Sequence, residues 1–264
     1  MLNLKNIKKT FITELGTEKK VFTNLNLEAK EGDFITIIGS NGAGKSTLLN
    51  IINGTIAVDS GTIELNGIDI TNIKSYKRAK WISQVYQDPT LGTSPSMVVL
   101  ENLSMAMNKG KPFNLSFGLD IKNIPYFNEQ LKDLGLGLEN QLYTRVGALS
   151  GGQRQCLSLL MATLKKPAIL LLDEHTAALD PQTSKIILEK TKKIIEKNKL
   201  IAFMITHNMQ DAIKYGNRLL MFHNGTIIFD IKGKEKEALT VEKLLEMFKQ
   251  KEIKLSDLSD KDLF

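Results

Sequence analysis

The sequence has a single cysteine, Cys156, so no disulfide can form within this 264-residue chain. A lone thiol fits a reducing compartment such as the cytoplasm. No apolar run approaches the roughly 20 residues that a membrane-spanning helix needs. The first residues alternate like a β-strand, without the long apolar stretch of a signal peptide. These absences predict a chain with no membrane span or targeting segment of its own.

The positively charged residues are not clustered in any one segment of the sequence. The net charge is +6, but the lysines are spread along the chain and interleaved with glutamates. We therefore expect a solvated, lysine-rich surface and no nucleic-acid partner. With 264 residues, 42% of them hydrophobic, the chain can bury a sizeable core as one domain or a close pair of subdomains. Disordered and fibrous classes are excluded.

The strongest motif follows a run of four β-branched residues at 35–38. It matches G-x-x-x-x-G-K-[ST] and consists of Gly39, Ser40, Asn41, Gly42, Ala43, Gly44, Lys45, Ser46 and Thr47. A helical pattern follows and stops at Asn53 and Gly54, which gives the strand, loop and helix context of a phosphate-binding loop. We predict that N–H groups of this phosphate loop (residues 39–47) bind phosphate, that Lys45 reaches the outer phosphates and that Ser46 holds Mg²⁺.

A second anion-binding surface is predicted where another helix begins. Ser150 has the position of an N-cap, and Gly151, Gly152 and Gln153 follow it before an amphipathic helical pattern. Two glycines in a first turn cost stability, but they leave the N–H groups open to an anion. Residues 150–153, here called the serine turn, are therefore expected to bind phosphate. Cys156, in the same helix, is expected to be a buried small hydrophobe.

Two acids follow a continuous apolar strand at residues 169–172. Asp173 and Glu174 stand at its carboxyl end, where adjacent carboxylates are costly without a cation. Asp173 could orient Mg²⁺, and Glu174 could take a proton from an attacking water. The next apolar run, residues 200–206, ends at His207, whose imidazole could reach a ligand at the same sheet edge.

Three further residues carry weaker signals. Gln87 emerges from an apolar run and marks a strand end. Asp180 precedes Pro181 in the manner of a helix N-cap. Phe11 lies between two polar stretches, where it is either a half-buried core aromatic or a flat ring for a nucleotide base. Taken alone, the residue favours the first interpretation.

The order of patterns predicts an α/β fold with an antiparallel β layer first and a helical insert later. Residues 1–34 and 61–67 have the pattern of short strands, and helical patterns at 97–107 and 128–134 form the insert, a subdomain at about residues 90–165. Within it, residues 108–118 are expected to be mobile. A hairpin at 217–230 and a helix at 241–248 end a domain of residues 1–248, before a polar tail at 249–264.

Together, these motifs resemble the ATP-binding subunit of ABC transporters, from Phe11 to about residue 248. Residues 149–153 match the family's signature sequence, and residues 169–174 match its strand with the magnesium aspartate and the catalytic glutamate. The resemblance implies a P-loop NTPase (RecA-like) core that uses ATP and Mg²⁺. Phe11 falls where the family stacks the base, although tyrosine is commoner there.

The resemblance also implies the roles of individual residues. Gln87, Asp180 and His207 match the family's glutamine, aspartate and histidine loops. Catalysis would involve Glu174, His207, Lys45 and Gln87, the metal would lie at Ser46, Gln87 and Asp173, and ATP would also meet Ser150, Gly151, Gly152, Gln153 and Asp180. His175 stands where the family often has proline, but no chemical group is lost, so active hydrolysis is expected.

An assembly is implied as well. Two ATP-binding subunits, as a homodimer, would meet head to tail with each ATP between the phosphate loop of one and the serine turn of the other. Gln87 and the helical insert would pass this movement to membrane-spanning permease subunits, at the cytoplasmic face of the membrane. Residues 84–89, 157–163 and 173–178 are similar to those of amino-acid-type and aromatic amino-acid uptake systems, which also use an extracytoplasmic solute-binding protein.

Other classes share the phosphate loop. A soluble ABC ATPase of translation or DNA repair usually has two ATP-binding domains or a long coiled coil, and neither is seen in this sequence. A mechanical signalling subunit that drives a membrane partner without transport is left open. A small-molecule kinase or a GTPase is opposed by the signature sequence.

Overall fold

The computed structural model describes residues 1–14, 16–110, 118–119 and 121–261, with side chains through residue 251. Most of the stretch 108–118, expected to be mobile, lies outside the described residues. The strands are β1 (Leu2–Ile12), β2 (Glu18–Ala29), β3 (Phe34–Gly39), β4 (Ser60–Leu65), β5 (Ile68–Asp69), β6 (Ile82–Val85), β7 (Ile169–Asp173), β8 (Ile201–Ile205), β9 (Arg218–His223) and β10 (Thr226–Lys232). The helices are α1 (Lys45–Asn53), α2 (Ser75–Arg78), α3 (Val99–Asn108), α4 (Ile124–Leu134), α5 (Gly151–Thr163), α6 (Pro181–Asn198), α7 (Met209–Lys214), α8 (Lys234–Glu237) and α9 (Val241–Lys261).

A six-stranded sheet forms the centre, in the order β10-β9-β3-β8-β7-β6. The pairs β9–β3, β3–β8, β8–β7 and β7–β6 are parallel, and β10 alone is antiparallel to its neighbour. Strands β7 and β8 are apolar and buried, as expected for parallel strands covered on both faces. The carboxyl ends of β3, β8, β7 and β6 therefore share one edge, which confirms the α/β core predicted from the sequence.

A four-stranded antiparallel sheet, in the order β2-β1-β4-β5, packs beside this core. The sequence predicts several short strands for residues 1–34, whereas β1 and β2 are long and continuous. Asn6 has a φ of 53°, and the β1–β2 register shifts at three places. These irregularities interrupt the apolar alternation without ending the strands, because a β-bulge bends a strand that remains paired.

Helices α3, α4 and α5 pack together in the part of the chain predicted to be a helical insert. They share an apolar core that includes Val99, Leu103, Phe127, Leu131, Leu157 and Leu160. Helix α4 begins at Ile124, four residues earlier than predicted, because Pro125 is in its first turn, where proline is tolerated. Cys156 is fully buried, and burial raises the pKa of its thiol to about 12. The buried cysteine predicted from the sequence is confirmed.

The C-terminal part differs most from the prediction. The hairpin between β9 and β10 turns at Asn224 and Gly225, both with positive φ, as expected. Helix α9, however, runs from Val241 to Lys261 instead of ending at residue 248. The expected tail lacks proline and glycine through Lys261, so nothing in the sequence stops the helix there.

Within the described part of the chain, every helix is too short or too polar to span a lipid bilayer.

Candidate functional site

The phosphate loop connects β3 to α1 at the shared edge of the sheet. Gly39, Gly42 and Gly44 have φ values of 148°, 79° and 98°. A Cβ on Gly39 would lie 2.2 Å from the carbonyl oxygen of Phe222, and a Cβ on Gly44 would lie 2.8 Å from Cε1 of Phe22. Both conformation and space therefore require glycine here. The loop ends at the N-terminus of α1, where open N–H groups and the helix dipole favour an anion.

Lys45 is the first residue of α1 and is only 6% exposed. Its Nζ donates hydrogen bonds to the carbonyl oxygens of Gly39 at 2.8 Å and Ser40 at 2.9 Å. Burial lowers the pKa of Lys45, and the carboxylates of Glu174 and Asp173 oppose that shift. The ammonium is thus held across the loop and beside the two acids.

A cleft of about 320 Å³ lies in front of the loop and is here called the phosphate-loop cleft. Phe11 lies on its wall, with the Nζ of Lys9 5.2 Å from the ring centroid. Phe11 also packs partly against the core, so the two interpretations of this residue are compatible. The lining residues are Phe11, Lys19, Val21, Asn41, Gly42, Gly44, Lys45, Ser46, Thr47 and Glu174.

Asp173 ends β7, and its Oδ1 accepts a hydrogen bond from Ser46 Oγ at 3.4 Å. Burial, and then the negative charge of the neighbouring Glu174, raise the pKa of Asp173. Ser46, Lys45 and His207 lower it but do not fully compensate. Among the described residues, no group of three or more His, Cys, Asp or Glu side chains could hold a metal. A hydroxyl and one carboxylate oxygen instead fit Mg²⁺, which binds few protein ligands together with substrate phosphates.

Glu174 and His207 meet where β7 and β8 end. Oε1 of Glu174 lies 2.5 Å from Nε2 of His207, and the two side chains are 16% and 52% exposed. Glu174 has a φ of 46°, and its N–H donates to the carbonyl oxygen of Ile205. The left-handed backbone turns the carboxylate out of the sheet and into the phosphate-loop cleft.

The serine turn opens helix α5 in a different part of the molecule. Ser150 Oγ accepts a hydrogen bond from the N–H of Gln153 at 3.2 Å, and Gln153 Oε1 accepts one from the N–H of Ser150 at 3.1 Å. Gly151 and Gly152 line a cleft of about 360 Å³, the serine-turn cleft, at the start of a helix whose first N–H groups have no partner within the helix. Its lining residues are Leu136, Ser150, Gly151, Gly152, Gln153, Ala178, Leu179, Asp180 and Thr183.

Packing gives Gly152 a second reason to be glycine. A Cβ at this position would lie 2.4 Å from Cγ2 of Thr183 on α6, whereas a Cβ on Gly151 would lie 3.6 Å from Cδ2 of Leu179. Asp180 caps α6 by accepting a hydrogen bond from the N–H of Thr183 at 2.9 Å, and bonds with Thr183 lower the pKa of Asp180. The interpretation of both glycines as anion-binding residues is therefore incomplete.

We expect Gly152→Ala to lower the free energy of unfolding by about 1–3 kcal/mol, since the new methyl group must displace Thr183. Gly151→Ala is the matched control and should cost little, because its Cβ finds an ordinary contact. Denaturant titration of both variants measures the difference. Adding Thr183→Ser, which removes Cγ2, should restore the Gly152→Ala variant. Equal losses in the two glycine variants would rule out the packing explanation.

The structure brings together some predicted site residues and separates others. The phosphate loop, Phe11, Asp173, Glu174 and His207 lie at or beside one cleft. The serine turn and Asp180 line another, and the two clefts share no lining residue. Gln87 follows β6 on the same sheet edge, but it is exposed and lines neither cleft.

Two contributors were missed by sequence reasoning. Lys19, on β2, lines the phosphate-loop cleft, and its Nζ is 3.8 Å from the position of a Cβ on Gly42. The turn of the β9–β10 hairpin supports the loop from behind, because the N–H of Gly225 donates to the carbonyl oxygen of Ala43 at 3.2 Å. Lys19 lies in a polar stretch without any motif. Asn224 and Gly225 signal a turn, but not what the turn touches.

Comparisons with known proteins agree with this geometry. The family model described as ABC transporter matches residues 22–177. A tyrosine transport ATP-binding protein of Clostridioides difficile is 50% identical over 250 residues, which are 94% of this chain and 98% of that protein. A phosphonates import ATP-binding protein of Lactococcus lactis subsp. cremoris is 33% identical over 241 residues, 87% of this chain and 92% of that protein.

Solved structures show the same architecture. A dimeric ATP-binding cassette in a post-hydrolysis state, bound to ADP and Pi, has a TM-score of 0.75 and 28% identity, covering 88% of this chain and 98% of that chain. The ADP conformation of another cassette of an ABC transporter has a TM-score of 0.76 and 25% identity, covering 94% of this chain and 98% of that chain. The similarity therefore extends well beyond the phosphate loop.

Proposed function

Because the chain belongs to the ABC transporter family and is an ATP-binding ATPase, we propose that it drives the import of an aromatic amino acid. The observation that carries the proposal is the 50% identity with a tyrosine transport ATP-binding protein over 94% of this chain. ATP-binding proteins for spermidine/putrescine and for phosphonates are 32% and 33% identical. All of these proteins bind ATP, so nucleotide binding does not account for the higher identity with the tyrosine transport protein.

ATP would occupy the phosphate-loop cleft. The N–H groups of the phosphate loop would bind the phosphates, and Lys45 and Lys19 would place two ammonium groups beside them. Lys45 would exchange its bonds to the Gly39 and Ser40 carbonyls for phosphate oxygens. Phe11 would stack on the base from the cleft wall.

Ser46 and Asp173 would hold Mg²⁺. The raised pKa of Asp173 fits this assignment, because a nearby cation would relieve the charge that burial and Glu174 leave uncompensated. Once bound, the metal would neutralise charge on the phosphate oxygens. Gln87 stays a predicted further ligand, and it would have to move from its exposed position to act as one.

Glu174 would act as the general base. Its carboxylate lies in the cleft, where it would accept a proton from a water aligned with the terminal phosphate. His207, in contact with Glu174 Oε1, would hold that carboxylate in place and orient the water. Lys45 would stabilise the charge that develops on the transferred phosphoryl group.

The serine-turn cleft is the basis for proposing a dimer. Its N–H groups are open to an anion, but it shares no lining residue with the phosphate-loop cleft. Two copies related by a two-fold axis would let the serine turn of one close over the phosphate-loop cleft of the other. The similar cassette bound to ADP and Pi is itself dimeric. Asp180, at the rim of the serine-turn cleft, would contact the nucleotide across the interface.

Separate membrane-spanning permease subunits would be the transport partners, at the cytoplasmic face of the membrane. The helical subdomain and Gln87 would transmit closure of the dimer to them, and an extracytoplasmic solute-binding protein would deliver the amino acid. The proposal is supported by two relatives, a tyrosine transport ATP-binding protein and a phosphonates import ATP-binding protein.

Deleting this chain from its host should abolish most high-affinity uptake of radiolabelled tyrosine, and the wild-type chain should restore it. The Lys45→Ala variant should not, because it lacks the ammonium of the phosphate loop. Affinity purification from detergent-solubilised membranes should recover a multi-span permease. Recovery of ribosomal or DNA-repair proteins without a membrane partner would overturn the transport proposal, and normal tyrosine uptake with such a permease present would overturn the substrate.

A further inference from the structure

Helix α5 touches the segment that contains Gln87, residues 86–92, here called the glutamine segment. Gln155 lies on α5 and is only 1% exposed. Its Nε2 donates a hydrogen bond to the carbonyl oxygen of Tyr86 at 3.1 Å. Tyr86 immediately precedes Gln87, so this bond fixes the backbone at the start of the segment. Breaking it would leave a partly buried carbonyl without a partner, which is costly.

Two more contacts connect the same face of α5 with the same segment. Ser158 lies three residues after Gln155, and its Oγ would be 2.7 Å from a Cβ on Gly92. The short turn Pro89–Leu91, in the middle of the segment, also packs against α5, with Cα atoms of the two elements within 8 Å of each other. Helix α5 thus lies against both ends and the middle of the glutamine segment.

We propose that Gln155 is a positioning residue that makes the glutamine segment follow α5. The same helix begins at the serine turn, so any displacement of the serine turn by bound nucleotide would move Tyr86 and hence Gln87. This inference rests on the proposed function, because it gives Gln87 and the serine turn their roles in the ATP cycle. It adds a link within one subunit between the second anion site and a residue outside both clefts.

The test uses Gln155→Met, which keeps the length of the side chain but cannot donate to Tyr86. We expect kcat for ATP hydrolysis to fall about fivefold, the rate equivalent of one hydrogen bond, with KM for ATP unchanged. Gln87→Ala should lower kcat by at least as much. The double variant should be no slower than Gln87→Ala, because Gln155 acts only through Gln87.

Thr163→Val is the matched control on the same helix. Thr163 is also buried, but among the described residues its hydroxyl bonds only to carbonyls of α5 itself, those of Leu159 and Leu160. Its kcat should stay at the wild-type value. Hydrogen exchange supplies a readout besides activity: amides of the glutamine segment should exchange faster in Gln155→Met, and those of the phosphate loop should not.

A second pair of variants tests the same inference if the Gln155→Met protein does not fold. Gly92→Ala would press its Cβ against Ser158 Oγ, and Ser158→Ala would remove that oxygen. Gly92→Ala should therefore lower kcat, and the double variant should recover it. Additive losses from Gln155→Met and Gln87→Ala, or no recovery in the second pair, would overturn the inference. If tyrosine proves not to be the substrate, these ATPase results are unaffected. Failure of the proposed function and failure of this inference are therefore distinguishable.

Discussion

Replacing Glu174 with glutamine should lower kcat for ATP hydrolysis by about 10²–10⁴-fold, the usual contribution of a positioned general base. Glutamine keeps the size of the side chain and a contact with His207 at the position of Oε1, but it cannot accept the proton of an attacking water. Nucleotide binding should persist, because the phosphate loop is unaltered. ATP would then accumulate unhydrolysed, and the two-subunit form should become visible by size-exclusion chromatography.

Glu189→Gln is the matched control for this experiment. Glu189 is a carboxylate on α6 whose Oε1 accepts hydrogen bonds from Lys214 and Tyr215, away from both clefts. Its loss should leave kcat near the wild-type value. A Glu174→Gln protein that hydrolyses ATP at the wild-type rate would exclude Glu174 as the base. A slow variant that stays monomeric with ATP would retain the base and exclude the proposed dimer.

The strand-end residues of the site were predictable because their signals are local. A glycine loop between a strand and a helix, and two acids after a buried strand, each specify their position from a few neighbouring residues. Parallel pairing then brings Gly39, Asp173 and His207 to one edge, since β3, β8 and β7 are adjacent in the sheet. The antiparallel layer and the helical insert were predictable for the same reason.

The remaining features depend on contacts between residues far apart in the chain. Lys19 reaches the phosphate loop because β2 folds against the core, and Gly152 has no room for a Cβ because Thr183 on α6 lies against it. No local pattern encodes either distance. The end of α9 was mispredicted for a different reason: polar composition suggested a tail, but a polar sequence without glycine or proline is compatible with a helix.

Arg78 is another feature that depends on distant contacts, and it supports the helix that carries Lys45. The side chain is 2% exposed, and its Nη1 donates to the carbonyl oxygens of Ile51 and Ile52, both at 2.8 Å. Nε donates to Ile73 O at 2.8 Å and Nη2 to Thr71 O at 2.9 Å. The guanidinium therefore supplies donors at the C-terminus of α1, where the last carbonyls lack helical partners and Ile51 O has the N–H of Gly54 as a further donor.

We expect Arg78→Met to lower the free energy of unfolding by about 4 kcal/mol, because the four hydrogen bonds to buried or partly buried carbonyls are lost together. The melting temperature should fall by about 10 °C for a domain of this size. Arg78→Lys should recover only part of the loss, since an ammonium cannot reproduce the planar fork. Lys80→Met, at a nearby exposed position, should stay within about 0.5 kcal/mol of wild type. Calorimetry with and without ATP measures the melting temperatures of these variants. If Arg78→Met melts at the wild-type temperature, α1 does not depend on the hydrogen bonds of Arg78, and the proposed support of the helix that carries Lys45 is excluded.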